Sequence, residues 1–334
     1  MKFKLFIIII TCCFYSKMSA QDPIFTQYFL VPETLNPGFS GFMETTYTGI
    51  IHREQWPELD LKISTDYAFV NTWIESMNSG LGVSVLSQRE NINNYNFTEV
   101  NANYAYKVRI SDDWCFRPGI EIGYGIKSYG FQNLLLEDQI NIRSGNNNAN
   151  SIDPFAFNDK VNFFDYNAGM VFNTDDLWIG LSMKHLNRPN ISFAGDAGNV
   201  PLATFFSLSG GYEFLLAEYV DVLFFPYETK MFVTSNYMQQ GRYNRLDIGA
   251  SILFEKMFFG ATAVTNPAKN GMNNQLLTSI NLFTGLQYEN LRLGFSYDLN
   301  TTKIGKTGGV YELSLTYQFN MDVKCFGCPN YTAK

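Results

Sequence analysis

The fold of this chain is decided by stretches such as YELSLTYQF, residues 311–319. Every odd position in this stretch is apolar or aromatic, and every even position is polar. Because successive side chains of a β-strand point to opposite faces, the alternation predicts a strand with one apolar and one polar face. A tilted strand of about nine residues is long enough to cross a membrane. The stretch therefore predicts a strand of a transmembrane barrel.

The same alternation recurs from about Tyr47 onward, in units of about ten residues separated by turn signals. It is clear in residues 114–126, 246–254 and 291–297, where the charged residues keep to one face. A charge that faces lipid at mid-depth costs about 2–4 kcal/mol, so this face is predicted to line the lumen. The charged residues assigned to the lumen are Lys62, Asp66, Lys107, Arg117, Glu121, Lys127, Asp165, Lys184, Asp221, Asp247, Arg292, Asp298 and Glu312. Their mixed signs argue against a strongly ion-selective pore.

The turn signals predict how many strands there are and how they connect. The predicted strands are residues 45–54, 59–70, 80–89, 96–109, 113–128, 162–173, 176–185, 203–214, 219–233, 243–254, 256–264, 275–288, 290–299 and 309–320. Most links after even-numbered strands are very short, whereas longer links follow odd-numbered strands, at about 90–95, 129–161, 186–202, 234–242, 265–274 and 300–308. Outer-membrane barrels have short periplasmic turns and long extracellular loops. The sequence therefore predicts an all-β fold, a single transmembrane antiparallel β-barrel of about 14 strands with both termini in the periplasm.

Two links at the start of the barrel depart from this rule. The first outer link, residues 55–58, is short, and the first inner link, residues 71–79, is long. The strand count therefore stays open at the first hairpin.

The composition agrees with a membrane barrel. Aromatic residues make up 16% of the chain and charged residues only 16%, a balance that disordered chains lack. The mean hydropathy is −0.10, and past the N-terminus no stretch approaches the roughly 20 apolar residues of a spanning helix. On composition alone, a soluble all-β protein is the alternative. A net charge of −7 without a basic cluster argues against nucleic acid as a partner.

The N-terminus has the features of a secretory signal peptide. Lys2 and Lys4 form a basic start, and residues 5–15 form an apolar stretch that is too short to span a membrane. Ala20 is a small residue suited to cleavage, so we expect the mature chain to begin at Gln21. Such a signal, together with the barrel pattern, predicts a location in the bacterial outer membrane.

The chain divides into four predicted parts. Residues 1–20 form the signal peptide, 21–43 a periplasmic N-terminal segment, 44–320 the outer-membrane barrel and 321–334 a periplasmic C-terminal tail. The apolar residues of the N-terminal segment predict a short helix packed against the inner mouth of the barrel. The composition of residues 129–161 is compatible with a polar surface loop or with a plug that folds into the lumen. The sequence therefore leaves open whether the lumen is open or plugged.

No residue pattern supports catalysis, a cofactor or a metal site. His52 and His185 are not accompanied by a Gly-x-Ser-x-Gly motif. Cys325 and Cys328 form one Cys-x-x-Cys pair, which has too few ligands for a structural zinc site and lacks a thioredoxin-like context. We expect this pair to be a small disulfide or free thiols, and Cys115 to be a packing residue. The protein is predicted not to be an enzyme, with no catalytic, cofactor-binding or metal-binding residues.

Several segments together resemble the PorP/SprF family, the outer-membrane barrels of the Bacteroidetes type IX secretion and gliding machinery. They are QDPIFTQY (21–28), LNPGFSG (35–41), HREQWP (52–57), LGVSVLS (81–87), YAY (104–106), DPF (153–155), IGLS (179–182) and GFSYD (294–298). The chain departs from the family pattern at Glu54, where Asn or Ser is more usual. It also departs at VYEL (310–313), where a Ser-His-Glu-like sequence is expected.

The resemblance implies a role in protein secretion rather than in catalysis. Some family members hold one secreted client, often an adhesin, at the cell surface through its type IX C-terminal domain. The resemblance also implies contact with periplasmic peptidoglycan-binding secretion components. The candidate client surfaces are loops 129–161 and 186–202, and the candidate periplasmic surfaces are residues 22–43 and 321–334. The alternative prediction is a solute channel or FadL-like transporter of the outer membrane.

Overall fold

The computed structural model describes residues 22–130, 139–141, 146–147, 159–194, 198–219, 226–268, 276–301 and 307–319. Within these residues, fourteen antiparallel strands form one closed β-barrel, as the sequence predicted. The strands are β1 (Tyr47–Gln55), β2 (Ile63–Ile74), β3 (Ser79–Glu90), β4 (Tyr95–Tyr106), β5 (Cys115–Ser128), β6 (Lys160–Asn173), β7 (Leu177–Lys184), β8 (Phe205–Leu215), β9 (Lys230–Gln240), β10 (Tyr243–Phe254), β11 (Met257–Thr265), β12 (Leu277–Tyr288), β13 (Leu291–Asn300) and β14 (Val310–Gln318).

The barrel closes between its first and last strands. β1 pairs with β14 from Tyr47 opposite Gln318 to Gln55 opposite Val310. Closure leaves no unpaired strand edge, which is what a membrane-spanning sheet requires. We call the rim that carries Tyr47 and Gln318 the terminal rim, and the rim that carries Gln55 and Val310 the loop rim.

The alternation that predicted the fold is present in β14. The even-numbered residues from Val310 to Gln318 are buried, and the odd-numbered residues, including Leu313 and Tyr317, are exposed on the outside of the barrel. Apolar side chains thus face the membrane side, and polar side chains such as that of Glu312 face the lumen, as the period-2 pattern predicted.

At the first hairpin the longer link lies at the loop rim and the shorter link at the terminal rim, as the sequence predicted for most of the barrel. Residues 56–62 join β1 to β2, and residues 75–78 join β2 to β3. β2 has the predicted length of 12 residues but lies four residues further along the chain, ending at Ile74, which pairs with Ser79. The count of fourteen strands, which the sequence left open at this hairpin, is confirmed.

The ninth strand lies further along the chain than predicted. The sequence placed it at residues 219–233, whereas β9 is Lys230–Gln240, and Gly241 and Arg242 form the short turn to β10. Gly241 has φ of 58°, a left-handed conformation that glycine adopts without steric cost in a tight turn. The predicted long link at 234–242 is therefore wrong. Here the short turn lies at the loop rim, and the longer link 216–229 joins β8 and β9 at the terminal rim.

The helical elements among the described residues are short 3₁₀ turns. Two of them, Pro32–Thr34 and Pro37–Phe39, lie in the N-terminal segment, which forms these turns rather than the predicted helix. Each turn begins with proline, whose fixed φ and missing N–H suit the first helical position. In the described part of the chain, no helix is long and apolar enough to span a membrane.

Candidate functional site

The lumen of the barrel is filled by residues 22–44, which we call the plug. Most of its large apolar side chains are at most 5% exposed, namely those of Phe25, Tyr28, Phe29, Leu30, Val31, Leu35, Phe39, Phe42 and Met43. They pack against inward-facing rings of the wall, with centroids 4.7 Å apart for Phe29 and Phe283 and 5.1 Å apart for Phe39 and Trp178. The N-terminal segment therefore lies inside the lumen, and the prediction that it packs against the inner mouth is wrong.

The plug crosses the lumen from one rim to the other. Its first residue, Asp22, lies at the loop rim, where its carboxylate meets His185 after β7 and Gln240 at the end of β9. Its last residue, Glu44, lies at the terminal rim and pairs with Lys107 and Arg117. Asp22 and the end of β14 are thus at opposite rims of the barrel.

An ionic cluster holds the plug at the loop rim. The imidazole of His185 lies between two carboxylates, with Nε2 2.7 Å from Asp22 Oδ2 and Nδ1 2.8 Å from Asp165 Oδ2. Burial acts to lower the pKa of His185, but the charge of Asp22 and the hydrogen bond to Asp165 outweigh burial and raise the pKa to about 10. Burial would raise the pKa of Asp22, but His185 holds it well below its usual range. At neutral pH a charged His185 therefore ties the plug to the wall.

A second polar cluster holds the plug through its backbone. The buried carboxylate of Glu312 accepts hydrogen bonds from the backbone N–H groups of Thr26, at 2.8 Å, and Gln27, at 3.0 Å. The same carboxylate lies 2.5 Å from Arg53 Nη1. The Thr26 hydroxyl donates to the carboxylate of Asp298 at 2.9 Å. Hydrogen bonds to an ionised group are about twice as strong as neutral ones, so these lumen charges fix the position of the plug.

Wall side chains also satisfy carbonyl groups of the plug. Lys184 Nζ donates to the carbonyl oxygen of Thr34 at 2.7 Å, and Ser182 Oγ donates to that of Leu35 at 2.6 Å. A buried chain without regular helix or sheet has to find such partners for its backbone. The polar face of β7 therefore supports the plug in the way that a neighbouring strand would.

Glycines in the wall allow the plug to approach the strands closely. A Cβ atom on Gly80 of β3 would lie 2.0 Å from the carbonyl oxygen of Ser40, and one on Gly119 of β5 would lie 2.5 Å from the backbone nitrogen of Gly38. Both opposing atoms belong to the backbone, which cannot rotate away as a side chain can. Glycine inside a strand marks such a close approach of another backbone.

The loop between β7 and β8 folds over the plug at the loop rim. The N–H of Leu202 donates to the carbonyl oxygen of Pro189 at 2.9 Å, and Leu202 is buried in the same apolar cluster as Phe25 of the plug. Ile191 packs against this cluster from the same loop. The described part of the loop 186–202, a predicted client surface, therefore buries apolar residues in the mouth of the barrel.

One cavity beside the plug is small. A cavity of about 50 Å³ is lined in part by Asp22, Glu33, Glu99, Glu121 and Lys184. Such a volume holds no more than a few water molecules. Among the residues that the structure describes, no group of His, Cys, Asp and Glu side chains has the arrangement of a metal site. The described lumen is filled by protein rather than by a wide water channel.

Most of the charged residues assigned to the lumen from sequence lie on the lumen side. They are Lys107, Arg117, Glu121, Lys127, Asp165, Lys184, Asp247, Arg292, Asp298 and Glu312. Asp66 is a correction, because it points outward from β2, whose inward positions include the buried Tyr67 and Phe69. Lys62 is a second correction, because it pairs with the outward-facing Glu54. Asp221 lies outside the described residues.

Within the described residues, the two histidines and Cys115 do not come together in one site. His52 faces outward from β1, with Nδ1 2.7 Å from Asp66 Oδ1, whereas His185 holds the plug inside the barrel. Cys115 is half-buried and has a free thiol in a cleft of about 230 Å³ at the terminal rim. The pair Cys325 and Cys328 lies outside the described residues, as do the signal peptide and the tail.

Solved outer-membrane proteins have barrels similar to this one. The Pseudomonas putida toluene transporter TodX is 8% identical over 86% of this chain and 93% of its own, with a TM-score of 0.48. A Pseudomonas aeruginosa FadL homologue is 10% identical over 85% of this chain and 93% of its own, with a TM-score of 0.43. Acinetobacter baumannii Omp33 is 7% identical over 84% of this chain and 100% of its own, with a TM-score of 0.45. Likeness at this level carries no conclusion about function.

A protein-family model gives a more specific match. The model described as "Type IX secretion system membrane protein PorP/SprF" matches residues 17–317 of this chain. The match includes the whole plug and all of the barrel strands up to the penultimate residue of β14. A search of curated proteins found no match.

Proposed function

The chain belongs to the PorP/SprF family of type IX secretion system membrane proteins, and we propose that it docks or retains a secreted surface protein, such as an adhesin, at the cell surface. The proposed role is not enzymatic. The client would be held through its type IX C-terminal domain, and peptidoglycan-binding secretion components would contact the barrel from the periplasm. Family and fold together support an outer-membrane barrel as part of this machinery.

The plug is the observation that favours docking over transport. A solute channel needs a path along the lumen, whereas residues 22–44 cross the lumen from the loop rim to the terminal rim. The plug is held by buried charges at His185 and Glu312, so removing it would expose several charged groups that are now paired. The alternative, a solute channel or FadL-like transporter, would require that the plug move first.

We assign the loop rim to the outside of the cell and the terminal rim to the periplasm. The links 129–159 and 185–204 begin and end at the loop rim, and long loops of outer-membrane barrels are extracellular. In this orientation the end of β14 faces the periplasm. Asp22 lies at the rim assigned to the cell exterior, so Asp22 and the end of β14 are on different sides of the membrane, in contrast to the arrangement that the sequence alone suggested.

This orientation changes the candidate surfaces. The client surface would be formed at the loop rim, by the links 129–159 and 185–204. Residues 22–43, which the sequence offered as a periplasmic contact, are enclosed in the barrel and are no longer assigned that role. The tail 321–334 and the terminal-rim cleft around Lys107 and Arg117 take their place as proposed periplasmic contacts.

Retention of the client tests the proposal directly. In a strain that lacks this chain, we expect the client to leave the cell surface and to accumulate in the medium. A variant in which a short Gly-Ser linker replaces residues 190–201 should show the same loss while the barrel still assembles. Unchanged surface display of all secreted proteins in the strain without the barrel would contradict the docking role.

Conductance separates docking from transport. The purified full-length barrel in a planar bilayer should show no steady ohmic current, because the plug fills the lumen. A stable open pore in the wild-type protein would favour the channel instead.

Epitope accessibility tests the orientation. An epitope inserted just before Asp22 should bind antibody on intact cells, whereas one placed after Phe319 should bind only after the outer membrane is opened. The reverse pattern would invert the assignment of the two rims.

A further inference from the structure

The small cavity beside the plug carries an excess of negative charge. Four carboxylates and two basic side chains line it, namely those of Asp22, Glu33, Glu99, Glu121, Lys184 and His185. With His185 protonated, negative charges therefore outnumber positive ones by two. Among the described residues, neither Glu99 nor Glu121 forms an ion pair. Carboxylates inside a protein are costly without a counter-charge, so the cavity favours a cation.

Two oxygen atoms from β4 converge over a glycine of β5 at this cavity. Gly123 faces the lumen and pairs with Asn101. A Cβ atom on Gly123 would lie 2.3 Å from Asn101 Oδ1 and 2.9 Å from Glu99 Oε1. An amide oxygen and a carboxylate oxygen thus occupy the space that a side chain at Gly123 would need. Both Asn101 and Glu99 line the cavity.

Neither of these oxygen atoms is satisfied by the described part of the protein. The side chain of Asn101 is buried, with a residue exposure of 6%, and its Oδ1 has no hydrogen-bond partner. Glu99 Oε1 is also buried without a partner. Buried polar atoms nearly always have a partner, so two unsatisfied oxygens that meet at one point indicate a bound species. A water molecule could donate to both, but it would not offset the excess charge of the cavity.

The chemistry of the two oxygens selects the kind of cation. Carboxylate and amide oxygens are hard ligands, which suit Ca²⁺, Mg²⁺ or Na⁺ rather than Zn²⁺ or copper. The excess of two negative charges favours a divalent ion. Ca²⁺ accepts irregular sets of protein and water oxygens, whereas Mg²⁺ demands a nearly ideal octahedron and gives up its water reluctantly. The cavity has room for only a few water molecules, which favours Ca²⁺.

We propose that the lumen binds one calcium ion beside Gly123, with Asn101 Oδ1, the carboxylate of Glu99 and water as ligands. The charge of Glu33, which belongs to the plug, lies at the same cavity, so the ion also attracts the plug to the wall. The site differs from a cluster of His, Cys, Asp and Glu ligands, which the described residues lack, because an amide supplies one of its two protein oxygens. The proposal goes beyond client docking and does not depend on it.

Calorimetric titration of the purified full-length barrel in detergent tests the charge at the site. The protein is first stripped with a chelator, and the probes are calcium chloride and magnesium chloride in physiological salt. We expect one saturable calcium site with a Kd of about 0.1–1 mM, the range of weak extracellular sites, and weaker binding of magnesium. Glu99→Gln keeps the shape but removes a charge, and should bind calcium at least about tenfold more weakly. Glu213→Gln changes a lumen carboxylate that does not line the cavity, and should bind like the wild type.

Variants of Gly123 and Asn101 test the geometry. Gly123→Ala pushes the two oxygens apart and should abolish calcium binding. Gly249→Ala is the matched lumen control, because its Cβ would also crowd side-chain oxygens, at 2.6 Å from Thr262 Oγ1 and 2.8 Å from Thr234 Oγ1. It should bind like the wild type. Asn101→Asp keeps an oxygen at the site and adds a charge, so it should bind calcium at least as tightly as the wild type.

Thermal unfolding gives a second readout of the same site. Calcium should raise the unfolding temperature of the wild-type barrel but not that of Glu99→Gln, because only a ligand that binds the folded state stabilises it. The proposal is overturned if the wild type shows no saturable calcium binding, or if Gly249→Ala loses as much binding as Gly123→Ala. It is also overturned if Asn101→Asp no longer binds calcium, since that result would show that the amide acts as a hydrogen-bond donor. Should Gly123→Ala not assemble, the comparison of Glu99→Gln with Glu213→Gln decides, and equal binding by these two variants refutes the site.

Discussion

Replacing Gly80 by alanine should loosen the plug without changing the wall that faces the membrane. Gly80 faces the lumen in β3, and its added Cβ would lie 2.0 Å from the carbonyl oxygen of Ser40 and 2.6 Å from the backbone nitrogen of Gly41. Carbon and oxygen atoms in close contact are about 3.3 Å apart, so the plug backbone has to move by more than about 1 Å. Such overpacking costs about 1–3 kcal/mol.

This cost can be read as a population of barrels with a displaced plug. A difference of about 1–3 kcal/mol corresponds to a factor of about 5–150 in the equilibrium between the closed and displaced states. We expect the Gly80→Ala barrel to show brief current steps in a planar bilayer at a frequency raised within that range. Protease added from the loop-rim side should also cut the plug faster.

Gly82→Ala is the matched control on the same strand and the same face. Its added Cβ would meet Asn71 Cβ at 3.2 Å and Ser40 Oγ at 3.5 Å, so the tightest contact needs a shift of only a few tenths of an ångström. We expect this variant to behave like the wild type. Equal current and equal protease sensitivity in Gly80→Ala and Gly82→Ala would refute the argument that the plug backbone sets the limit at Gly80.

Three further changes should act on the plug or on the barrel turns. Glu312→Ala removes the closer carboxylate partner of the buried Arg53, which keeps only Asp298 at 3.7 Å, and removes the acceptor for the Thr26 and Gln27 N–H groups, so the plug should lose about 3–5 kcal/mol of binding, measured as protease accessibility and current. Folding raises the pKa of His185 from 6.5 to about 10, so its stabilising contribution is complete below about pH 6.5 and is lost as the pH rises through about 10. Folding lowers the pKa of Asp22 from 3.8, so its contribution is present at higher pH and is lost only in acid. Plug opening should therefore increase between pH 7 and pH 10, and His185→Gln should remove that dependence. Gly241→Val places a branched residue at a φ of 58° and should destabilise the β9–β10 turn by about 1–2 kcal/mol, measured by thermal unfolding in detergent.

Each of these three predictions has an outcome that would contradict it. Glu58→Ala, an exposed carboxylate at the loop rim, is the control for Glu312→Ala, and equal effects of the two would argue against a specific anchor. A pH dependence that survives His185→Gln would assign the transition to another group. Equal unfolding temperatures for Gly241→Val and the wild type would show that the turn does not limit stability.

The barrel itself could be predicted from the sequence because most strands obey one simple rule. Residues 311–319 and 291–297 alternate between lipid-facing apolar and lumen-facing polar side chains, and both lie in observed strands. The ninth strand was misplaced because β9 carries polar residues such as Ser235 and Gln239 on its outward face. The alternation is weak there, and the actual turn residue, Gly241, was assigned to a long loop.

The plug could not be predicted because it has no repeating pattern. Its apolar residues, such as Phe25 and Phe29, occupy irregular backbone with two proline turns, and no periodicity tells which surface they bury against. One signal was nevertheless present in the wall. Glycines at lumen-facing positions, among them Gly80 and Gly119, indicate a close backbone approach inside the barrel.

The plug also explains why the lumen assignment failed for Asp66. The rule that apolar side chains face lipid holds for a barrel filled with water, whereas a plugged barrel has an apolar interior wherever plug and wall meet. In β2 the inward positions are Tyr67, which packs against Phe25 of the plug, and Phe69. Their burial reverses the expected faces of this strand and places Asp66 on the outside of the barrel.

The mixed signs of the lumen charges follow from the same arrangement. A segment of irregular backbone enclosed in a barrel needs acceptors for its N–H groups and donors for its carbonyl groups. Glu312 supplies the acceptors at Thr26, and Lys184 supplies a donor at Thr34. A water-filled pore would be expected to use its charges to select ions, which favours one sign, whereas a plug requires both. The distribution of charge inside this barrel is therefore that of a closed platform, in agreement with the proposed docking role.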